Sequence, residues 1–259
     1  LEGNTIIDIH CHILPGIDDG ARDLIESIGM AKHAASKGIT AIFATPHHKN
    51  SRYYNKANRI LAKVNKLNSI LKRKEIPVKI FPGQEPRIYG ELLNDYKAGK
   101  ILTLNNKHKY LLIELPNSHV PAYAEKLFFD IQMEGIIPII VHPERNVQIR
   151  ESPNLLHQLV KNGAATQITA SSLIGKSGKQ LRKFSLQLIK HNLTHFIASD
   201  SHRLSRNAFK LVEAYDVLNE ELGKDYVERF KMNTSALLNG KGIDREEAER
   251  IEKNKWFYF

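Results

Sequence analysis

The sequence has one cysteine and one tryptophan among 259 residues. A single thiol closes no internal disulfide and builds no thiolate zinc cage, which excludes a disulfide-stapled scaffold and a zinc finger. Long apolar runs are missing as well: none approaches the roughly 18–20 residues that a membrane span requires. The first residues, Leu1-Glu-Gly-Asn, carry no basic-then-apolar pattern of a secretory signal. A reducing cytoplasm is the compartment expected from this cysteine usage. No Gly- or Ser-rich linker and no shift in composition divides the chain, so one domain over residues 1–259 is expected.

Acidic residues are in the minority, 28 against 38 Lys and Arg, which leaves a net charge of +10. That excess favours anionic partners. Its densest stretch runs from Lys56 to Lys74, where Lys56, Arg59, Lys63 and Lys66 recur at helical spacing. A solvated helix face is the expected reading, with a docking surface for an acidic partner as the alternative. A nucleic-acid-binding module is the non-enzymatic reading of the same charge, although no RNP-like, zinc-finger or helix-turn-helix pattern accompanies it.

Short apolar runs alternate with longer amphipathic stretches. Strands are expected at Thr5–His10, Thr40–Ala44, Val78–Phe81, Tyr110–Leu115, Ile136–Val141, Ala165–Thr169 and His195–Ser199. Helical patterns lie between them near 22–37, 55–74, 90–98, 122–134, 153–162, 177–191 and 207–222, with Gly and Pro at the joins. Repeated strand–helix units predict a parallel α/β architecture, and a chain of this length fits one barrel.

The ends of these strands are chemically unusual. His10 and His12 end the first, His47 follows the second, Glu85 the third, and Glu114 closes the fourth; His142 closes the fifth, and Asp200 and His202 close the seventh. In a parallel barrel the C-terminal strand ends converge on one face, where active sites are built. A lone His or Asp after a strand is usually a turn residue, but six of seven strands ending this way exceed what turn chemistry accounts for. Glu114 sits in an apolar run, where an unpaired carboxylate is expensive unless a cation offsets it. The set predicts imidazole and carboxylate ligands, too many for one divalent ion, of a kind suited to Mn, Fe, Zn or Mg. Arg145 and Arg206 lie on loops at the same face, and a guanidinium fork matches two phosphate oxygens. A phosphocysteine mechanism fails, because the sixth residue after Cys11 is Ile17 rather than the arginine it requires. Cys11 is expected to be a small buried side chain facing away from both histidines.

With these residues placed, the chain resembles the polymerase-and-histidinol-phosphatase (PHP) superfamily, and more narrowly the manganese-dependent protein-tyrosine phosphatases of Gram-positive capsule and exopolysaccharide loci. The segments that carry the resemblance are IDIHCHILPGIDDG (7–20), ATPHH (44–48), PGQE (82–85), HPER (142–145) and SDSH (199–202). The resemblance implies a distorted TIM-like (β/α)7 barrel of the PHP fold with a trinuclear site. Carried over by position, His10, His12, Glu85 and Asp200 would hold one ion. Glu85 would bridge to a second, completed by Glu114 and His142. Asp19, His47 and His202 would hold the third. Asp19 is found by the resemblance alone, because a loop cap is its ordinary reading. The implied activity is hydrolysis of phosphotyrosine in proteins, with Arg145 stabilising the transferring group and Arg206 helping to clamp it. The implied substrate is a tyrosine-phosphorylated protein such as a bacterial tyrosine kinase that controls polysaccharide synthesis. Neither nucleic acid nor stable membrane insertion is expected, and the sequence does not fix the oligomeric state. Another PHP phosphoesterase activity, on histidinol phosphate or on phosphodiesters, is the alternative within the fold. The closing segment Lys253–Phe259 ends in four consecutive aromatics, for which packing against the barrel is the expectation.

Overall fold

A computed structural model describes residues 5–205 and 208–252. Among these residues nine strand segments form seven parallel staves. The segments are β1 (Ile6–Cys11), β2 (Ile39–Ala44), β3 (His47–His48), β4 (Lys79–Pro82), β5 (Glu85–Pro86), β6 (Tyr110–Ile113), β7 (Ile137–Val141), β8 (Ala165–Thr169) and β9 (Phe196–Ala198). Pairing runs β1-β2-β4 and β6-β7-β8-β9, and β3 pairs with β5 as the continuation of β2 and β4. Two single bridges close the ring. Cys11 pairs with Ser201, and Arg87 pairs with Glu114. The backbone bonds His12 N to Ser201 O and Glu114 N to Pro86 O, each 2.9 Å, fasten these joints.

All seven expected strands are present with ends within two residues of expectation, but β3 and β5 are additional. Pro46 and the Pro82-Gly83 pair interrupt their staves, because proline gives the ladder no donor. Pairing then resumes beyond the break and carries His47 and Glu85. Gly83 lets the chain pass close to its neighbours: a Cβ there would meet Leu104 Cδ2 at 2.7 Å and Thr45 Cγ2 at 3.1 Å, so Leu104 would have to shift. All seven expected helices are present too. The last, Leu211–Leu222, begins four residues later than expected.

A further helix, Lys224–Leu238, was not legible in the sequence. Its buried positions include Asn233 and Thr234, which break the apolar stripe that marks a helix. It serves as the floor of the barrel. Leu237 and Leu238 pack into the cluster formed by Ile7, Ile9, Phe43, Tyr110, Leu112, Ile139, Val141, Phe196 and Ala198. These strand residues occupy alternate positions and point inward, whereas Ile42, Ile80, Leu111, Ile113, Ile140, Ile168 and Ile197 pack outward into the larger cluster with the helices. The stripe over residues 56–74 behaves as a solvated face: Lys56, Arg59 and Lys66 are exposed. Lys63 is half-buried and donates to Pro15 O at 2.8 Å. No described helix is long and apolar enough to cross a membrane. Lys253–Phe259 lies outside the described residues.

Candidate metal centre

The inward alternation that builds the apolar floor also delivers the polar cluster above it. Counting by twos from inward residues leads from Phe43 to His47, from Phe81 to Glu85, from Leu112 to Glu114 and from Ala198 to Asp200. Two staves depart from this rhythm, and each has a local device. In β1, Asp8 pairs with Ile42 and Cys11 with Ala44, so one extra residue is bulged in. The bulge lets His10 and His12 turn inward above Ile9, as bulges beside active sites commonly do. At the end of β7, His142 adopts φ 36°, a left-handed conformation that re-aims its ring after Val141. Asp200 is left-handed too, at φ 52°. Such strained residues persist where the surroundings over-determine them.

Eight of the nine expected ligands meet around Glu85 and Asp200. His10 Nε2 lies 3.4 Å from both Glu85 Oε1 and Asp200 Oδ1. His12 Nε2 lies 3.3 Å from Glu85 Oε2 and 3.5 Å from Asp200 Oδ1. His142 Nε2 is 3.2 Å from Glu85 Oε1, and His47 Nδ1 is 2.8 Å from Glu85 Oε2 and 3.8 Å from Glu114 Oε2. His202 Nδ1 is 3.6 Å from Asp200 Oδ1. The ninth, Asp19, completes an outer triad, its Oδ1 3.6 Å from both His47 Nε2 and His202 Nε2. Burial falls outward: the Glu85 side chain is 0% exposed, His202 31% and Asp19 47%.

Hydrogen-bond accounting tests whether these residues fit a cation. Gln167 Oε1 lies 2.8 Å from His10 Nδ1, and Asp18 Oδ2 lies 2.7 Å from His12 Nδ1. Both oxygens only accept, so each Nδ1 carries the proton and each Nε2 presents a lone pair. His202 Nδ1 is likewise 3.0 Å from the Asp200 carbonyl. Lone pairs of imidazoles and carboxylates therefore converge on one another. Glu85 Oε2 and Glu114 Oε2 are buried and accept no well-aligned hydrogen bond, although His47 Nδ1 and Arg87 Nε lie 2.8 and 3.0 Å from them. Buried orphan acceptors are rare in native proteins, and divalent cations satisfy this set. Among the described residues three groups have the reach for an ion: His10, His12 and Glu85; His47, Glu85 and Glu114; and His12, Asp19, His47 and His202.

Without a cation, protons take the same lone pairs. Burial opposes charging His10, yet Glu85 and Asp200 raise it to about 9. Burial pushes Glu85 up, but His10 and His47 hold it well below the usual carboxylate range. Burial and the charge of Glu85 raise Glu114. Cations and protons thus compete here, and acid should weaken metal binding.

A cavity of about 230 Å³ opens over the cluster, lined by His47, Glu114, Asn117, His142, Arg145, Asp200 and His202. Arg145 Nη1 donates to Asp200 Oδ2 at 2.6 Å, and its side chain is 35% exposed to the opening. Arg206 lies outside the described residues. Cys11 is buried, faces the helical layer and donates from Sγ to Ser201 O at 3.4 Å. Burial holds its thiol well above the ordinary range, so it is inert. His48 also points away, with Nδ1 2.8 Å from Asn55 O. Gly20 seats the Asp18-Asp19 loop against the first strand, since a Cβ there would fall 2.0 Å from His12 O.

Asp8, Asp18, Gln167 and Arg87 support the cluster without standing among the expected ligands. Asp8 accepts from Ser199 N at 2.9 Å and from its hydroxyl, which fixes the turn carrying Asp200; burial pushes Asp8 up to about 6 against those bonds. Arg87 Nε lies 3.0 Å from Glu114 Oε2. Gln167 carried a readable signal, a polar side chain at an inward position of an apolar strand.

Residues 6–239 match the family described as capsular polysaccharide synthesis, CpsB/CapC. The chain belongs to the CpsB/CapC family. Within it, the chain is 48% identical over 254 residues to the tyrosine-protein phosphatase YwqE of Bacillus subtilis, covering 98% of this chain and 100% of that one. CapC of Staphylococcus aureus is 38% identical, with 97% and 99% covered. A solved structure, from work describing YwqE of Bacillus subtilis and CpsB of Streptococcus pneumoniae as unique metal-dependent tyrosine phosphatases, superposes with a TM-score of 0.93 at 47% identity, over 96% of this chain and 100% of that one. Histidinol phosphate phosphatase of Lactococcus lactis shares the fold, with a TM-score of 0.56 at 13% identity over 83% of this chain and 92% of that one. The CpsB/CapC chain is thus a distorted α/β barrel hydrolase of the PHP type.

Proposed function

We propose that this tyrosine-protein phosphatase of the CpsB/CapC family hydrolyses phosphotyrosine in proteins at the mouth cluster, using three divalent ions, with manganese as the working metal. The convergence of imidazole and carboxylate lone pairs on Glu85 carries the reading (3.2 Å to His142, 3.4 Å to His10), because divalent cations satisfy them together where protons otherwise would. His10, His12, Glu85 and Asp200 would hold one ion, Glu85, Glu114 and His142 the second, and Asp19, His47 and His202 the third; His47 also reaches Glu85 and Glu114 and so sits between the last two. Bound ions of this kind activate water and neutralise phosphoryl charge.

The chain's own groups do the rest. Asp200 anchors Arg145 through one nitrogen, which leaves the other donors of a planar fork free to face phosphate oxygens. Asn117 supplies a neutral amide at the same wall. A phenol of pKa roughly 10 leaves with less protonic help than an alcohol needs, which suits an open site and an aryl ester. The family's link to capsular polysaccharide synthesis supports a bacterial tyrosine kinase of that system as the phosphorylated partner. Work in the cytoplasm is part of the same proposal.

The test is phosphate release from a phosphotyrosine peptide beside a phosphoserine peptide and a phosphodiester. Turnover of the first should exceed the others by orders of magnitude, and Arg145→Gln should lower kcat about 100-fold, as loss of one charge-stabilising donor does. Diester cleavage in its place would assign the site to the nuclease-like branch of the fold.

A further inference from the structure

Six staves bring a candidate ligand to the mouth, and β8 brings none. At the corresponding inward position it places Gln167, 0% exposed. The orientation of this amide is fixed from both ends. Its Nε2 donates to Ile168 O at 2.7 Å, which turns Oε1 toward His10 Nδ1 at 2.8 Å. The Gln167 backbone carbonyl also accepts the His142 N–H at 2.7 Å, beside the left-handed turn that aims that ring. One residue therefore touches two candidate ligands from different staves, His10 through its side chain and His142 through its backbone.

We propose that Gln167 is a positioning residue that locks His10 in the tautomer whose Nε2 lone pair faces Glu85 and Asp200, and so sets the affinity of the innermost ion. This rests on the metal-dependent reading above. A ring hydrogen-bonded at Nδ1 cannot rotate or swap tautomer without breaking a buried bond, and partners of this kind are generally worth 10–100-fold in metal affinity. His12 is held by an anion, Asp18, at 2.7 Å, whereas His10 is held by a neutral amide. The pair is thus asymmetric, with His12 the stronger donor of the two.

The experiment titrates the metal-stripped full chain with Mn²⁺, free Mn²⁺ being read by paramagnetic resonance, for the wild type, Gln167→Leu and Gln167→Glu. Gln167→Leu should weaken the tightest site about 10–100-fold, while the metal-free melting temperature stays near that of the wild type. At saturating Mn²⁺ its kcat should recover, with the half-activating Mn²⁺ concentration raised. Gln167→Glu, which keeps the acceptor, should bind at least as tightly as the wild type. An unaltered titration for Gln167→Leu, or an equal loss in both variants, would overturn the assignment. A wild-type chain that takes up no divalent ion would overturn the metal-dependent reading together with it.

Discussion

The floor and the mouth of this barrel are built from the same staves and obey opposite rules. Phe43, Leu112 and Ala198 seal the floor, and the next inward positions hold His47, Glu114 and Asp200. At the floor each group removes apolar surface from water and finds complementary neighbours. At the mouth, ligand atoms of His47, Glu85 and Glu114 crowd within 4.8 Å of one another. The floor thus supplies the rigidity that lets the mouth hold an arrangement unfavourable without cations. Stability and chemistry are separated along each strand by only two to four residues.

That separation can be broken from either side. Glu85→Gln removes charge at the point where four histidines meet, and should lower phosphotyrosine hydrolysis by about 10³-fold or more, the scale of losing a preorganised electrostatic element. Circular dichroism should remain near wild type, since the floor is untouched. Phe43→Ala should do the converse. Loss of a fully buried Phe costs about 3–5 kcal/mol, read by urea unfolding, while kcat below the melting transition should change little.

A smaller effect sharpens the contrast within the mouth. Asp19, 47% exposed, belongs to the outermost triad, where water screens the charges. Asp19→Asn should raise the Mn²⁺ concentration needed for half-maximal rate by about 10-fold, with activity recovering at higher Mn²⁺.

The smallest effect concerns a floor residue. His195 is buried and accepts from Thr166 N at 3.2 Å; burial, with Arg245 and Arg229, lowers it to about 3. Its unfolded value is near 6.5, so between these two values the unfolded chain binds the extra proton. Stability should therefore fall as pH drops from 6.5 toward 3. Urea unfolding across that range should show a shallower fall for His195→Gln, which carries no titrating ring.

Much of this was legible in the sequence because one rule serves both ends of the barrel. Short apolar runs mark the seven strands, and His47, Glu85, Glu114 and Asp200 stand out at their ends, where the inward alternation of the strands, extended, also leads. Where that rule fails, the sequence gives less notice. The bulge between Asp8 and Cys11 and the left-handed turn at His142 are backbone events with no residue signature. The interruptions before His47 and Glu85 looked like strand ends, because proline marks both. Lys224–Leu238 was hidden by the buried polar face of Asn233 and Thr234. Gln167 and Asp18 carry no strand-end mark, because they act on the histidines from behind, through Nδ1 of His10 and of His12.

The most direct test of the central claim is phosphate release from a phosphotyrosine peptide by the metal-stripped chain, before and after Mn²⁺ is returned. No turnover is expected when stripped, with restoration by Mn²⁺ in the wild type and a rate about 10³-fold or more lower in Glu85→Gln. Turnover that survives complete removal of divalent ions would contradict it.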